Sequence, residues 1–477
     1  MKARPRPASA GATRRESVGS PLERRFSAVA YSAAWPTTFG QGAAIRLTSP
    51  DFRRLLPHSS RASTASEASP LLSPNAADGN GFWDATCTVV NVLVGAGLLS
   101  LPYMLRCSGV VLGLCLLLVF GVVANFTGKL LGACMASDAR IRSYPDVVNA
   151  AFGLTGRRIA SILCFVELFV ACTMFLVLVA DSLHVLFPVH SAPALLSVAF
   201  ACVLPTTWLA DLSRLSALSV LGVVSSVALV LLLLFAGWTT PAGQPGSLWG
   251  NTTARWLVDN DAWALSIGLA LVGFAGHAVF PSIYLSMDDP AMYPAVLNVG
   301  YAAVGTTYAL VALAGYVMFG AATSKEITLN LLAVSPGWAT TAVMWTVVLN
   351  PCTKFAIVLH PIALSVEELV LPWTLPEASS ERMQHAQRCV LRSLLSLGTF
   401  VVALKVPNFV QWTSLLGALF ATAIVVVVPC LCYWKLFRST LHWCSTLALL
   451  GLVLATVVLG TLGVVATATN ASADVMQ

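Results

Sequence analysis

Two stretches of the chain carry residue types whose spacing suits ligand chemistry. The first reads Asn91-Val-Leu-Val-Gly95-Ala96-Gly97-Leu-Leu-Ser-Leu-Pro102, and the second Gly273-Phe274-Ala-Gly276-His277-Ala-Val-Phe-Pro281. Each places small residues a few positions ahead of a proline inside an apolar run, where a helix must break. A broken helix exposes the amide N–H groups of one half-helix, which suit a carboxylate. The carbonyls that end the other half suit an ammonium. A zwitterionic α-amino acid meets both needs, so the candidate substrate-binding residues are Asn91, Gly95, Ala96, Gly97, Phe274 and Gly276. Either stretch alone is better read as close helix packing, because Gly and Pro are common in membrane helices. The matched pair favours a site.

Three ionisable residues fall inside apolar runs, where they are costly and point to function. Glu167 is a carrier for a coupled proton, a partner for a cation, or a buried hydrogen bond that pins its helix. His277 follows the second break and titrates near neutrality, or it simply caps and packs there. Lys354 follows Pro351-Cys-Thr353 near the middle of its run, too deep for its stem to snorkel easily to an interface. Glu367 and Glu368 close the same run and are expected to be solvated. Nothing resembles a catalytic centre: the seven His are scattered, and no CxxC pair or metal-ligand spacing occurs. No enzyme activity, cofactor or metal is expected.

The elements that must position these residues follow from composition. Of 477 residues, 57% are hydrophobic and 10% charged, with a mean hydropathy of +0.80. Soluble proteins are roughly 25% charged, so this is an all-α membrane protein. Eleven apolar segments approach or reach spanning length: 83–104, 108–135, 158–186, 192–209, 215–238, 262–287, 296–320, 339–370, 389–404, 408–434 and 440–468. The breaks lie in the first and sixth, five segments apart. That spacing predicts two five-helix inverted repeats, 83–238 and 262–434, plus one extra helix, 440–468. The transmembrane domain is 81–468.

Residues 1–80 are rich in Ser, Pro, Ala and Arg, and carry 11 basic against 5 acidic residues, while the remainder balances. We read them as a disordered cytoplasmic tail near anionic lipid, with no role for nucleic acid. A mitochondrial or plastid presequence shares that composition, but Glu16, Glu23, Asp51 and Glu67 interrupt it. Lys and Arg in the connections then favour the tail side. The sequons at Asn251 and Asn470 fall on the opposite, luminal side, where glycosylation is expected, the second in a C-terminal tail, 469–477. Glu67 with Leu71 and Leu72, and Asp51 with Leu55 and Leu56, resemble dileucine sorting signals and are candidate sites for a clathrin adaptor.

The two breaks, together with Ser143-Tyr-Pro-Asp-Val-Val-Asn-Ala-Ala-Phe-Gly153, Leu204-Pro-Thr-Thr-Trp-Leu-Ala-Asp211 and Pro351-Cys-Thr-Lys354, resemble the amino acid/auxin permease family. The likeness is to its vacuolar branch, related to the vesicular inhibitory amino acid transporter, and runs from about residue 82 to 465. It implies a LeuT-like fold of 11 transmembrane helices and proton-coupled amino-acid transport. In such folds the eighth helix faces the first, and sodium-driven members bind an ion between them. Lys354 is thereby placed as a tethered cation against carbonyls around Val92–Gly95. Arg106-Cys107 departs from the polar pair usual in plant members.

The function expected is secondary active transport of neutral amino acids, coupled to protons, across a vacuolar or lysosomal membrane. The alternatives are a sodium-coupled plasma-membrane carrier and an amino-acid sensor with little flux.

Overall fold

The computed structural model describes residues 80–476 except 210–211, 250–252, 259–260, 335–336, 375–379 and 406–408. The sorting leucines and Glu67, and the sequon residue Asn251, lie outside the described residues. The architecture is all-helical. The first predicted segment is α1 (Phe82–Leu93), a 3-10 turn (Ala96–Ser100) and α2 (Leu101–Ser108), the two halves bent by 51°. There follow α3 (Val110–Ser137), α4 (Tyr144–Leu186), α5 (Ala192–Val203) with a 3-10 turn (Leu204–Trp208), and α6 (Leu212–Thr239). The sixth segment is α7 (Leu265–Gly273) and α8 (Phe280–Ser286), separated by an irregular stretch. Beyond it come α9 (Tyr293–Phe319), α10 (Ile327–Val334), α11 (Trp338–Thr374) and α12 (Glu381–Ala403). The chain closes with α13 (Phe409–Leu415), a π-helical stretch (Leu416–Val427), α14 (Val428–Phe437) and α15 (Trp443–Met476).

Among the described residues, seven helices are long and apolar enough to cross a bilayer, and the bent first pair makes an eighth. α5 and α7 are apolar but short, and α12 begins with the polar run Glu381-Arg-Met-Gln-His-Ala-Gln-Arg388. α15 continues past the predicted segment and takes in Asn470.

Local chemistry explains several helix ends. Ser143 accepts from the Asp146 amide while the Asp146 carboxylate accepts from the Ser143 amide, a capping box that starts α4. Gly153 then takes φ 73°, a left-handed conformation that a side chain would disfavour, and turns the chain into the long span. The family-like motif 143–153 is thus a helix start and a glycine corner.

Two sets of contacts tie the ends of the bundle. On the face where the described chain begins, Asn80 bridges to Met287, and its amide donates to the Ser286 carbonyl at 2.8 Å. The start of α1 is thereby joined to the end of α8. On the opposite face, Arg106 donates to the Thr323 carbonyl at 2.7 Å, and the Val110 and Val111 amides donate to Arg255 and Trp256. The α6–α7 connection is drawn over the end of α2.

The Arg392 guanidinium corrects one expectation. Glu367 is 5% exposed rather than solvated, and Arg392 on α12 donates to its Oε1 at 2.6 Å. Arg392 also donates to the carbonyls of Thr207 and Leu209. These belong to the Leu204–Asp211 motif, so one buried cation joins α11, α12 and the turn after α5. Glu368, one residue on, is exposed as expected.

Candidate functional site

The break in the first span is built by its backbone. Val94 adopts φ −69°, ψ 71°, and the Gly95 amide reaches back to the Leu93 carbonyl at 2.6 Å, an inverse γ-turn. The 3-10 turn then starts with a bond from the Leu98 amide to the Gly95 carbonyl. The amides of Ala96 and Gly97 stand at the N-terminal end of that turn, where a helix has no intrahelical acceptor for them. The side chain of Ala96 is outside the described set. In the sixth span the Phe274 and Ala275 amides close α7 on Leu271 and Val272, and Val279 begins the next turn on Gly276.

Both breaks border one cavity, in which water centres have about 80 Å³ to move. That is enough to hold water, and it lies where a small cargo would meet both breaks. Gly95, Gly97 and Gly276 line it, with Glu167, Met174 and Phe175 from α4, and Thr413 before the π-helical stretch. Apart from Glu167 and Thr413 its side chains are apolar. Glu167 is 5% exposed, and its Oε2 has no hydrogen-bond partner. A Cβ on Gly276 would meet Leu93 at 3.0 Å and Phe280 at 3.1 Å, whereas one on Gly97 meets Val272 at 3.3 Å. Both glycines thus stand close against side chains of the two breaks.

Two predicted substrate contacts face elsewhere. Phe274 is fully buried, with its ring centroid 5.3 Å from that of Tyr308 and its ring edge over Gly121 of α3. Asn91 points at α6 and α11, where its Oδ1 accepts from Thr353 at 3.5 Å. His277 also turns from the cavity: Nε2 lies 3.0 Å from the Thr127 hydroxyl. That hydroxyl donates to the Val123 and Ala124 carbonyls, so the imidazole is the donor toward it. His277 Nδ1 has no partner.

The carbonyls that end the half-helices are also largely taken, against the expectation that they await an ammonium. The Tyr308 hydroxyl contacts both Leu93 and Gly273. Lys354, fully buried, donates its ammonium to the Val94 carbonyl and to Asn350 Oδ1. Asn350 in turn donates to Ser226 at 2.6 Å, Ser225 at 3.1 Å and the Gly222 carbonyl at 3.2 Å. A Cβ on Gly222 would lie 1.9 Å from Asn91 Oδ1, so only glycine fits between α1 and α6 here. A second, smaller cavity touches Gly95, Ser226 and Asn350.

Sequence reasoning missed Gly222, Ser225, Ser226, Tyr308 and Asn350. Asn350 had a signal, since it stands one helical turn before Lys354. Gly222, Ser225 and Ser226 lie 124 residues or more from Asn350, and Tyr308 lies 215 from Leu93 and 35 from Gly273, so none of them had a local signal.

Two half-helix breaks around one cavity, with a buried lysine on the first of them, form a transporter-like centre. The profile of the family described as transmembrane amino acid transporter protein matches residues 78–472. The chain belongs to that family. It is 36% identical to amino acid transporter AVT1D of Arabidopsis thaliana over 78% of this chain and 66% of the relative. It is 35% identical to AVT1E of the same plant, over 78% and 70%. The chain thus spans about two thirds of the length of these relatives. The vesicular inhibitory amino acid transporter of Xenopus tropicalis is 24% identical over 76% of this chain and 71% of its own length. Among solved structures, a sodium-coupled sialic acid symporter aligns with TM-score 0.58 at 12% identity, covering 81% of this chain and 87% of its own. Mhp1, a nucleobase-cation-symport-1 family transporter, aligns with TM-score 0.55 at 14% identity, over 83% and 93%. These likenesses show that the family member has the LeuT-like transporter fold.

Proposed function

We propose that the protein is a proton-coupled secondary active transporter of neutral amino acids, working by alternating access in a vacuolar or lysosomal membrane. The observation that carries this reading is Lys354. Its ammonium sits on the Val94 carbonyl inside the break of the first span, a tethered cation where a sodium ion would otherwise serve. The amides of Ala96 and Gly97 receive the cargo carboxylate, and the apolar cavity wall suits an uncharged side chain. His277, held by Thr127, positions the second break.

In this reading all eleven segments span, with the N-terminus cytoplasmic and the C-terminus luminal. Glycans are then expected at Asn251 and Asn470, and Glu67, Leu71 and Leu72 dock a clathrin adaptor. One helix bundle rocks against the other around the site.

Reconstitution in liposomes with an imposed pH gradient and a panel of labelled amino acids tests the function. Uptake of neutral amino acids that follows the gradient, and is unchanged when choline replaces sodium, is the expected result. Dependence on sodium establishes the sodium-coupled carrier instead. Saturable binding with negligible flux establishes a sensor.

A further inference from the structure

The cargo's ammonium needs an acceptor, and the breaks supply few. Leu93 and Gly273 are held by Tyr308, Val94 by Lys354, and Leu271 and Val272 by the following amides. Glu167 is left. It lines the same cavity as Gly97 and Gly276, is almost fully buried, and has one carboxylate oxygen without a partner. Among the described residues it forms no ion pair. The remaining polar side chain on the wall, Thr413, carries no charge. A carboxylate in apolar surroundings is costly unless a cation meets it.

We propose that Glu167 is the ammonium subsite, receiving the positive end of the transported amino acid in place of half-helix carbonyls. This rests on the amino-acid transport reading and extends it to specificity. An ion pair with Glu167 makes the amino group obligatory. A cargo with an acidic side chain brings a second carboxylate into a cavity that already holds one, and like charges there reject it. The α-hydroxy acid with the same side chain lacks the ammonium and leaves Glu167 unpaired. The site is then selective for net-neutral zwitterions.

The test is counterflow in proteoliposomes at equal pH on both sides, which removes the pH gradient as a driving force. Labelled leucine is the cargo, with its α-hydroxy analogue and glutamate as competitors. The unmodified protein is expected to prefer leucine over either competitor by at least a hundredfold. Glu167→Gln should raise the KM for leucine at least tenfold and shrink its preference over the hydroxy acid by a similar factor. Glu167→Asp, which keeps the charge but draws it back, should give an intermediate KM and retain the preference. It also serves if the Gln variant fails to fold.

Unchanged KM and preference in either variant, with only pH-driven uptake reduced, overturns the proposal and makes Glu167 a proton carrier alone. Equal competition by the hydroxy acid in the unmodified protein overturns it without any mutation. Absence of counterflow for every amino acid is a different outcome, which refutes the transport reading and with it this subsite.

Discussion

The phenolic oxygen of Tyr308 lies 2.5 Å from the carbonyl oxygen of Leu93. The Gly273 carbonyl is 2.7 Å from the same hydroxyl, so one side chain of α9 touches the last turn before each break. A phenol has one proton to donate, and the two carbonyls share it. Tyr308→Phe should take its donor from the Gly273 carbonyl and leave the Leu93 carbonyl with the Gly95 amide alone, at a cost of about 1–3 kcal/mol. We expect folded protein in the membrane with lower thermal stability and uptake reduced at least tenfold. Thermal unfolding in detergent, beside initial uptake rates, checks this.

The two breaks were legible in the sequence because Gly and Pro interrupt a helix whatever surrounds it. The helix positions were legible because burial in lipid selects apolar runs. Facing was not. α3 and its neighbours are apolar all round, so no polar stripe says which side meets protein. For that reason Asn91 and Phe274 were assigned to the cavity yet point to α6 and α3. Glu367 was read as solvated from its place near a helix end. Its partner Arg392 arrives from another helix, and no local pattern announces that pairing. Lys354 was placed against the first span by family resemblance, and its ammonium meets the Val94 carbonyl there.

The buried pair of Glu367 and Arg392 should be intolerant of single changes. Arg392→Leu leaves the buried Glu367 carboxylate with Arg388 alone, 4.0 Å away, and takes the guanidinium donor from the Thr207 and Leu209 carbonyls. Breaking such a pair costs about 3–5 kcal/mol. A clear drop in the unfolding temperature, with little properly folded protein recovered, is the expected outcome. Exposed Glu368→Gln, the neighbouring control, should change neither.

Gly222 and Gly97 should respond differently to a single methyl. A Cβ at Gly222 would stand 1.9 Å from Asn91 Oδ1 and 2.5 Å from Thr353 Oγ1, whereas one at Gly97 meets Val272 at 3.3 Å. Gly222→Ala must displace α1 from α6, and overpacking of this kind costs about 1–3 kcal/mol. It should abolish uptake, while Gly97→Ala keeps a measurable rate. Gly97→Val, with its two further methyls in the cavity, should abolish transport yet leave folded protein. Size-exclusion profiles and uptake of the three variants distinguish the cases.

Glu326, on the connection before α10, gives the opposite face a pH response. Partial burial, assisted by the nearby Asp181 carboxylate, pushes its acid up to about 7 from an ordinary 4.5. The native state therefore binds more protons than the unfolded chain between those values, and stability falls as pH rises through that window. The loss is at most about 3 kcal/mol, from 1.36 kcal/mol per unit. Glu326→Gln should unfold at a higher temperature than the unmodified protein at pH 7.5 and at nearly the same temperature at pH 4.5. Equal behaviour at both pH values would refute the assignment.

Lys354 gives the most decisive variant. Its ammonium is fully buried and meets only neutral acceptors, the Val94 carbonyl and Asn350, among the contacts described. Removal should therefore do two separable things. Lys354→Ala takes away the cation that fixes the first break, so proton-driven uptake should stop. It also vacates a space bounded by the Val94 carbonyl and Asn350 Oδ1, oxygens of the kind a sodium ion takes. Lys354→Arg keeps a charge that does not deprotonate and carries a planar, bulkier head. If transport requires reversible proton release from this position, Arg should recover less than a tenth of the unmodified rate. If a fixed positive charge suffices, Arg should recover most of it. Uptake driven by a pH gradient, measured for both variants with sodium and with choline, separates these outcomes. Full pH-driven uptake by Lys354→Ala would remove Lys354 from the mechanism.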